Sequence, residues 1–344
     1  MANRYFKLAA GNNNWSAIGT WCTLADGSDP GASVPTSADN VYPSASIAAG
    51  ATLTVDATAY CLDMDWTGAT NSPTFARGNS NFSANGNITF IAAMVFTGAA
   101  NAFYLSGTGT LTTNGLTIQS AIGVNGAGIT VTLLDDFTST TILYLFEGTL
   151  VTGNKTVACA TFSILGAGAK VLTSGTSVIN CSGWDYTGTN LTLTANTATI
   201  KVTGTGVFTG GGLTYYEVQL NGTAHTISGS NTFTNLILKA DTTQTITFTD
   251  GTTQTITTPN ITGSIGKVKT LQGSSTGGWA ISKASGRVVC DYLSVSYSTA
   301  SGGAAFYAGG NSTDGGNNTG WMFAKAVVSG MTKARVLSLV LWKR

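Results

Sequence analysis

The feature that most constrains the fold is a strand-like pattern that returns at intervals of roughly 22 residues or a multiple of that interval, as coils of a repeat protein do. The motif Asn-Leu-x-Leu begins at Asn190 and again at Asn235, and the motif aromatic-Thr-Gly begins at Tyr186 and again at Phe208. Within these units apolar residues alternate with small polar ones, as in the run that starts at Thr52. Alternation with period two indicates strands with one buried face. A regular repeat of such strands is typical of a solenoid.

The composition supports an all-β chain. Of 344 residues 44 are Gly, and charged residues make up only 9%. Glutamate, a preferred residue of helix surfaces, occurs only at Glu147 and Glu217. Thr, Val, Ile and aromatic residues suit pleated strands, and Gly and Asn suit the turns between them. We therefore predict a right-handed parallel β-helix in which each coil pairs with the next at about 4.8 Å.

Changes along this pattern divide the chain into four segments. Residues 1–50, with prolines and tryptophans, are predicted to form an N-terminal cap or anchor. Residues 51–300 are predicted to form the parallel β-helix, and residues 301–323 a terminal loop region rich in Gly and Asn. Residues 324–344 form a basic, apolar C-terminal tail.

The tail is a candidate assembly element. It carries five of the 16 basic residues and no acidic residue. An apolar segment without a partner in its own chain is suited to pack against another subunit. The alternative is a last strand or helix folded back on the same chain. The apolar side chains that form the predicted interface are Val336, Leu337, Leu339, Leu341 and Trp342.

One segment favours a different local structure. Two similar alternating runs begin at Thr242 and Thr252 and flank Asp250-Gly251. Asp-Gly between such runs is a strong hairpin signal. The alternative fold is accordingly a hairpin-based barrel or a pair of sandwiches, and within a solenoid the segment is a hairpin or a sharp corner.

The charge balance and the few residues able to bind a metal argue against several classes of partner. A net charge of +1 provides no basic face of the kind that duplex DNA requires. The five cysteines include no Cys-x-x-Cys pair, so we predict no zinc site and interpret each as a small buried side chain, with a disulfide as the alternative. The loop at residues 314–318 offers oxygen ligands for Ca²⁺ but only one carboxylate. The most apolar stretch, residues 336–342, is too short to cross a bilayer. We predict no metal, cofactor, nucleic acid or membrane span.

Catalytic residues are few. Glycan cleavage needs two facing carboxylates, and Asp63 and Asp65 share one strand face, but we interpret them as structural or solvated. Asp135 and Asp136 indicate a corner turn, because Asp favours turns. The only histidine, His225, lies in a corner rich in Gly, Ser and Asn and is predicted to be exposed, and no serine has a nucleophile-elbow motif. The sequence therefore predicts a protein without enzymatic activity.

Several sequence strings resemble a widespread family of β-helix proteins. They are NNNWSAIGTWC from Asn12, YCLDMDWTG from Tyr60, SGSNTFTNLIL from Ser228 and AGGNSTDGGNNTGWMF, which ends at Phe323. Members occur among structural genes of tailed bacteriophages and prophages and in some bacterial surface proteins. The resemblance implies a β-helix fold and a virion setting. We therefore predict a non-enzymatic tail fibre, spike or capsid-decorating protein that forms a homotrimer and docks on other virion proteins.

Two alternative functions remain open. The first is an adhesin, on a bacterial surface or a phage tip, that binds host glycans. Exposed aromatic side chains stack on sugar faces, although such residues also pack within a solenoid or against a sister chain. The second is a glycan depolymerase. The predicted glycan contacts of an adhesin are Tyr215, Tyr216, Phe306 and Tyr307.

Overall fold

The computed structural model describes residues 1–29, 31–98 and 102–323. Within these residues the regular structure consists of strands and a single 3₁₀ turn at Ile18–Thr20. The strands of the first fifty residues are β1 Asn3–Leu8, β2 Gly11–Asn14, β3 Trp21–Cys22 and β4 Asn40–Ile47. The following strands are β5 Ala51–Thr54, β6 Ala59–Cys61, β7 Met64–Asp65, β8 Thr74–Arg77, β9 Phe82–Ala84, β10 Ile88–Thr89, β11 Val95–Gly98, β12 Phe103–Leu105, β13 Gly109–Thr112, β14 Thr117–Ile118, β15 Ile122–Leu133, β16 Phe137–Ser139, β17 Ile142–Val151, β18 Thr156–Ile164, β19 Lys170–Thr173 and β20 Val178–Tyr186. The remaining strands are β21 Leu191–Thr194, β22 Thr199–Val202, β23 Gly206–Thr209, β24 Thr214–Leu220, β25 Ala224–Ser228, β26 Thr232–Leu238, β27 Gln244–Phe248, β28 Thr253–Asn260, β29 Lys269–Gly273, β30 Trp279–Ser282, β31 Arg287–Cys290, β32 Leu293–Val295, β33 Ser298–Ser301, β34 Ala305–Ala308, β35 Thr313–Asp314 and β36 Trp321–Phe323.

Apart from the antiparallel pair β1 and β3, the pairings of the described strands are parallel and join adjacent turns, which builds a solenoid of about 13 turns. The interval between partners varies around the predicted one. Thr156 pairs with Val178, which matches the predicted repeat, whereas Thr214 pairs with Thr232 across a shorter stretch of chain. The predicted parallel β-solenoid is confirmed, and its right-handed winding stays a prediction.

The core is a set of inward-facing columns in which one residue from each turn stacks on the next. One column runs without interruption through nine turns, from β9 to β27. Its members are large and apolar, so the burial that stabilises each turn also fixes the register of its neighbours. In chain order they are Phe82, Phe103, Ile122, Leu143, Phe162, Trp184, Phe208, Ile227 and Phe248.

The first fifty residues belong to this ladder. Strand β1 pairs in parallel with β4, so that Asn3 lies beside Asn40. The other edge of β1 is covered by β3, which runs antiparallel to it. Trp15 and Trp21 are buried and pack edge to face with ring centroids 4.6 Å apart. Residues 1–50 thus supply both a turn of the stack and the aromatic residues at its start.

The segment from residue 301 onward also continues the ladder. Strand β34 pairs with β31, and β36 pairs with β34, which places Trp321 beside Phe306. The β-helix was predicted to give way to a terminal loop region after residue 300. In the structure the strands continue to stack beyond that residue. Residues 324–344, the predicted tail, lie outside the described part of the chain.

The segment around Asp250-Gly251 is a corner. Strands β27 and β28, on either side of it, do not pair with each other but with strands of the neighbouring turns. Gly251 has a φ of 73°, a left-handed conformation that glycine adopts without strain. The hairpin alternative is wrong here, because both strands take their hydrogen-bond partners from the turns above and below.

Candidate functional site

The predicted acidic pair serves the backbone on either side of Met64, with Asp63 in the corner before β7 and Asp65 at the end of that strand. The Oδ1 atom of Asp63 accepts a hydrogen bond of 2.6 Å from the backbone N–H of Asn87, one turn later. Asn87 repeats this contact by accepting the N–H of Thr110 at 3.0 Å. Asp65 accepts the N–H of Thr67 at 2.8 Å. The corner side chains thus form a ladder of their own that links successive turns.

Asp135 and Asp136 join the turns before and after them. Asp135 accepts the backbone N–H of Thr113 at 2.8 Å, the Thr113 hydroxyl at 3.0 Å and the N–H of Asn114. Asp136 accepts the N–H of Thr156 at 2.8 Å in the opposite direction. The predicted corner at this pair is confirmed. Two carboxylates that satisfy backbone donors on opposite sides are not arranged around a common substrate.

Other corner carboxylates show how this role affects their protonation. Hydrogen bonds from Ser275, through both its hydroxyl and its backbone N–H, lower the pKa of Asp250. Hydrogen bonds from Thr23 and Leu24 similarly lower the pKa of Asp29. A carboxylic acid that protonates a leaving group needs a raised pKa. These groups are shifted in the opposite direction, towards a permanent charge.

His225 is buried, which corrects the predicted exposed position. It lies on β25 between Gly206 and Ile246 of the adjacent turns, and its residue is 2% exposed. Its Nε2 atom accepts the backbone N–H of Gly222 at 3.0 Å. Burial lowers the pKa of the imidazole, so it is neutral at pH 7. The residue faces inward because period-two alternation places it on the same side as Ile227.

The five cysteines are buried with free thiols, as interpreted from the sequence. Burial raises the pKa of Cys181 and of Cys290 to about 12, and such thiols are poor nucleophiles. Within residues 1–29, 31–98 and 102–323 no three His, Cys, Asp or Glu side chains converge as metal ligands. In the loop that begins at Asp314, its carboxylate accepts hydrogen bonds from Gly316 and Asn318 instead.

The four predicted aromatic contacts divide into two buried and two partly exposed residues. Tyr215 is 1% exposed, and its hydroxyl donates to the carbonyl of Gly210 at 2.8 Å. Phe306 is 0% exposed and packs against Trp321. Neither ring reaches solvent, which corrects the prediction for these two positions. Tyr216 and Tyr307, their neighbours in sequence, are half-buried on the outer wall.

A concave surface that the sequence analysis missed contains an exposed tyrosine. We call it the Tyr60 groove. It has a volume of about 460 Å³ and is lined by Pro35, Ser37, Tyr60, Ser83, Asn85 and Ser106, together with Thr36. Tyr60 is 43% exposed, although its strand neighbours Ala59 and Cys61 are buried. Alternation within Ala59-Tyr60-Cys61 was the signal that places this ring outside.

The last described turn has unpaired strand edges. Strand β35 pairs with β32, and β36 with β34, on one side only, so up to Phe323 no strand covers their other edge. Met322 is 42% exposed at this end. The predicted interface residues, from Val336 to Trp342, lie outside the described residues.

No described helix is both long enough and apolar enough to cross a bilayer. Comparisons with protein-family models, with curated proteins and with solved structures found no match. The fold itself places the chain among parallel β-solenoid proteins.

Proposed function

We propose that the protein is a non-enzymatic structural rod of a phage-like virion, in a tail fibre, a spike or a capsid decoration. The observation that carries the proposal is the use of the corner side chains. Asp63, Asn87 and Asp136 each bind the backbone of the next turn, as the hydrogen bonds above describe. In a catalytic solenoid, such side chains would point at a substrate. In this chain they hold the turns together.

Buried polar side chains support the same role. Lys269 is 0% exposed, and its Nζ atom donates to the carbonyls of Lys239 and Thr242. Gln244, its partner on the preceding turn, donates to the carbonyls of Leu220 and Gly222 at 2.8 and 2.6 Å. Backbone carbonyls at or beside the corners thereby receive hydrogen bonds inside the rod. Such a body resists local opening, which is the property that a projecting or surface-bound virion component needs.

The depolymerase alternative has less support. It requires one carboxylate with a raised pKa that faces a second across a groove. No acidic residue of the described chain lines the Tyr60 groove. Asp250 and Asp29 have lowered pKa values because they accept hydrogen bonds.

Assembly is the second part of the proposal. The free edges of β35 and β36 are able to accept further strands, and the apolar tail directly follows them in sequence. We propose that the tail mediates trimer formation at this end of the rod. The basic residues of the tail, which have no acid among them, are suited to dock on an acidic surface of another virion protein.

Solution mass tests the assembly. Light scattering of the full chain is expected to give a trimer, and the triple variant L337E/L339E/L341E a monomer, because charge at these positions opposes apolar burial. Val289→Glu is the matched control: Val289 is 74% exposed on the described wall, and the variant should remain trimeric. A monomeric wild-type chain would contradict the assembly proposal.

Antibody labelling of phage-like particles tests whether the protein is part of a virion. Phage-like particles induced from cells that carry the gene are purified and stained with an antibody against the full chain. Regular labelling of a tail, spike or capsid surface is the expected result. If the cells produce the protein but the particles purified from them lack it, the virion role is contradicted.

A further inference from the structure

We propose that the Tyr60 groove is a binding site for neutral sugar units of a glycan. This inference is independent of the virion role, since it concerns the outer wall near the start of the rod. Its volume of about 460 Å³ lies within the range of small-ligand sites. The groove combines one exposed aromatic ring, one proline ring and several hydroxyl or amide groups, which together match the apolar faces and hydroxyl edges of a sugar.

The strand ladder positions the aromatic ring. Tyr60 on β6 is paired with Ser83 on β9, and Ser83 is paired with Tyr104 on β12. These three residues form an outward column beside the inward one, because Ala59 and Phe82 occupy the core side of the same strands. Two turns separate the tyrosines by about 10 Å, and the small Ser83 between them leaves the space open.

The polar lining retains unused hydrogen-bonding capacity. Within the described residues the hydroxyls of Ser83 and Ser106 have no hydrogen-bond partner. The amide nitrogen of Asn85 makes one long contact of 3.4 Å with the Cys61 carbonyl, and its Oδ1 atom accepts no bond from the described chain. Of the lining hydroxyls, only that of Thr36 donates to a partner among the described residues, namely Asp39 at 2.8 Å. Hydroxyls and an amide beside an exposed ring offer both donors and acceptors to sugar hydroxyls.

The absence of charge from the lining sets the class of sugar. Among the described residues, no Lys, Arg, Asp or Glu lines the groove. The nearest acid in the lining segment, Asp39, is 7% exposed and accepts hydrogen bonds from Thr36 and from the N–H of Ala2. A uronic or sialic acid would find no cation here, whereas a neutral hexose needs none. The ligand is therefore a neutral glycan.

A second concavity of the described chain lacks this combination. It has a volume of about 490 Å³ near Lys7, Asn13 and Asn71, and no aromatic residue lines it. Three of its polar side chains are occupied: Lys7 donates to the Gly27 carbonyl, Asn13 to the Ala9 carbonyl and Asn71 to the Ile47 carbonyl. The Tyr60 groove differs from this concavity because its free polar groups lie beside an exposed ring.

An aromatic strip extends the column along the rod. Tyr104 is paired with Gly123, and Gly123 with Tyr144. Because Gly123 has no side chain, the ring of Phe146 occupies the space over it, and a Cβ built there would lie 3.1 Å from that ring. The ring centroids of Tyr104 and Phe146 are 6.0 Å apart, and those of Phe146 and Tyr144 are 4.7 Å apart. A glycan that occupies the groove would therefore extend along the rod axis over this strip.

Saturation-transfer NMR on the full chain tests the proposal with three neutral probes: cellohexaose, maltohexaose and chitohexaose. At least one is expected to receive saturation at millimolar concentration. Tyr60→Ala should weaken its binding at least about tenfold, because the stacking surface is lost. Tyr60→Phe should retain binding, because the ring remains. Val207→Ala, which shortens a side chain that is 49% exposed elsewhere on the wall, should bind as the wild type does.

Two results would overturn the proposal: no saturation of any of the three probes, or equal binding by wild type and Tyr60→Ala. Circular dichroism verifies that each variant is folded, as expected for an outward side chain. Light scattering of the same variants should show an unchanged mass. Loss of glycan binding and loss of assembly are thereby separate outcomes, so the two proposals fail independently.

Discussion

The indole ring of Trp279 lies parallel to the phenyl ring of Phe248, with ring centroids 3.7 Å apart and an interplanar angle of 11°. The two residues are not ladder partners, since Phe248 is paired with Gly273 on the next turn. Gly273 has no side chain, and a Cβ built on it would lie 3.6 Å from the Cδ1 atom of Trp279. The ring of Trp279 therefore continues the inward column at the turn where Gly273 interrupts it.

Replacement of Trp279 by Ala should destabilise the rod by about 3–5 kcal/mol, the usual cost when a large buried ring is removed. Trp279 is 3% exposed, and its indole N–H donates to the Ser296 carbonyl at 3.1 Å, so the variant loses both packing and a hydrogen bond. Urea unfolding followed by circular dichroism measures the change. Val289→Ala, on the exposed wall, should change stability by less than about 0.5 kcal/mol. Equal shifts in the two variants would show that the stacking does not stabilise the column.

The pH dependence of stability should contain a step that belongs to His225 alone, because the chain has one histidine. Burial lowers the pKa of His225 in the folded state, so the unfolded chain, with a histidine pKa of about 6.5, takes up the proton first. The stabilising contribution is complete above about pH 6.5 and is lost as the pH falls towards the lowered pKa, with a slope of at most about 1.4 kcal/mol per pH unit.

His225→Gln should remove this step, since Gln accepts the Gly222 N–H without titrating. Corner carboxylates such as Asp250, whose pKa is lowered by hydrogen bonds from Ser275, contribute stability that is lost only below about pH 4. Unfolding free energies of both proteins between pH 5 and pH 8 measure the difference. An identical slope in the two proteins would contradict the assignment.

The two acids of one corner should differ in their effect on stability. Asp135 accepts two bonds from Thr113 and one from Asn114, whereas Asp136 accepts one from Thr156. Loss of a hydrogen bond to a charged group costs about 1.5–3 kcal/mol, so Asp135→Ala should cost about 3 kcal/mol and Asp136→Ala about half of that. Hydrogen exchange of the Thr113 and Asn114 amides should accelerate only in the first variant. Equal destabilisation, without faster exchange, would count against the inter-turn role.

The sequence predicted the fold because the repeat itself carries the information. Alternation in the runs at Thr52 and Ile129 identifies strands, and their recurrence identifies parallel stacking. The corner at Asp135 and Asp136 followed from turn chemistry. At Asp250-Gly251 the sequence left a hairpin and a sharp corner open, because local hairpin preference and long-range parallel pairing use the same residues, and only the folded ladder decides between them.

Side-chain placement was less predictable. Tyr215 and Tyr216 are neighbours on one strand, so alternation requires one ring inside and one outside, but composition alone did not show which. The buried position of Tyr215 depends on stacking with Phe233 on the next turn, whose ring centroid is 5.8 Å away. The Tyr60 groove depends on residues from three turns and the segment at Pro35, and no local sequence window brings these together.

The cysteines provide the last prediction. All five are at most 8% exposed, and burial raises the pKa of Cys181 and Cys290 to about 12. Since the thiolate is the reactive form, iodoacetamide at pH 8 should modify none of them in the folded protein and all five in guanidinium chloride. Mass spectrometry counts the modified thiols. Cys159 and Cys181 are ladder partners on adjacent turns, so a protein that gains only three adducts after unfolding would reveal a disulfide between them and contradict the assignment of free thiols.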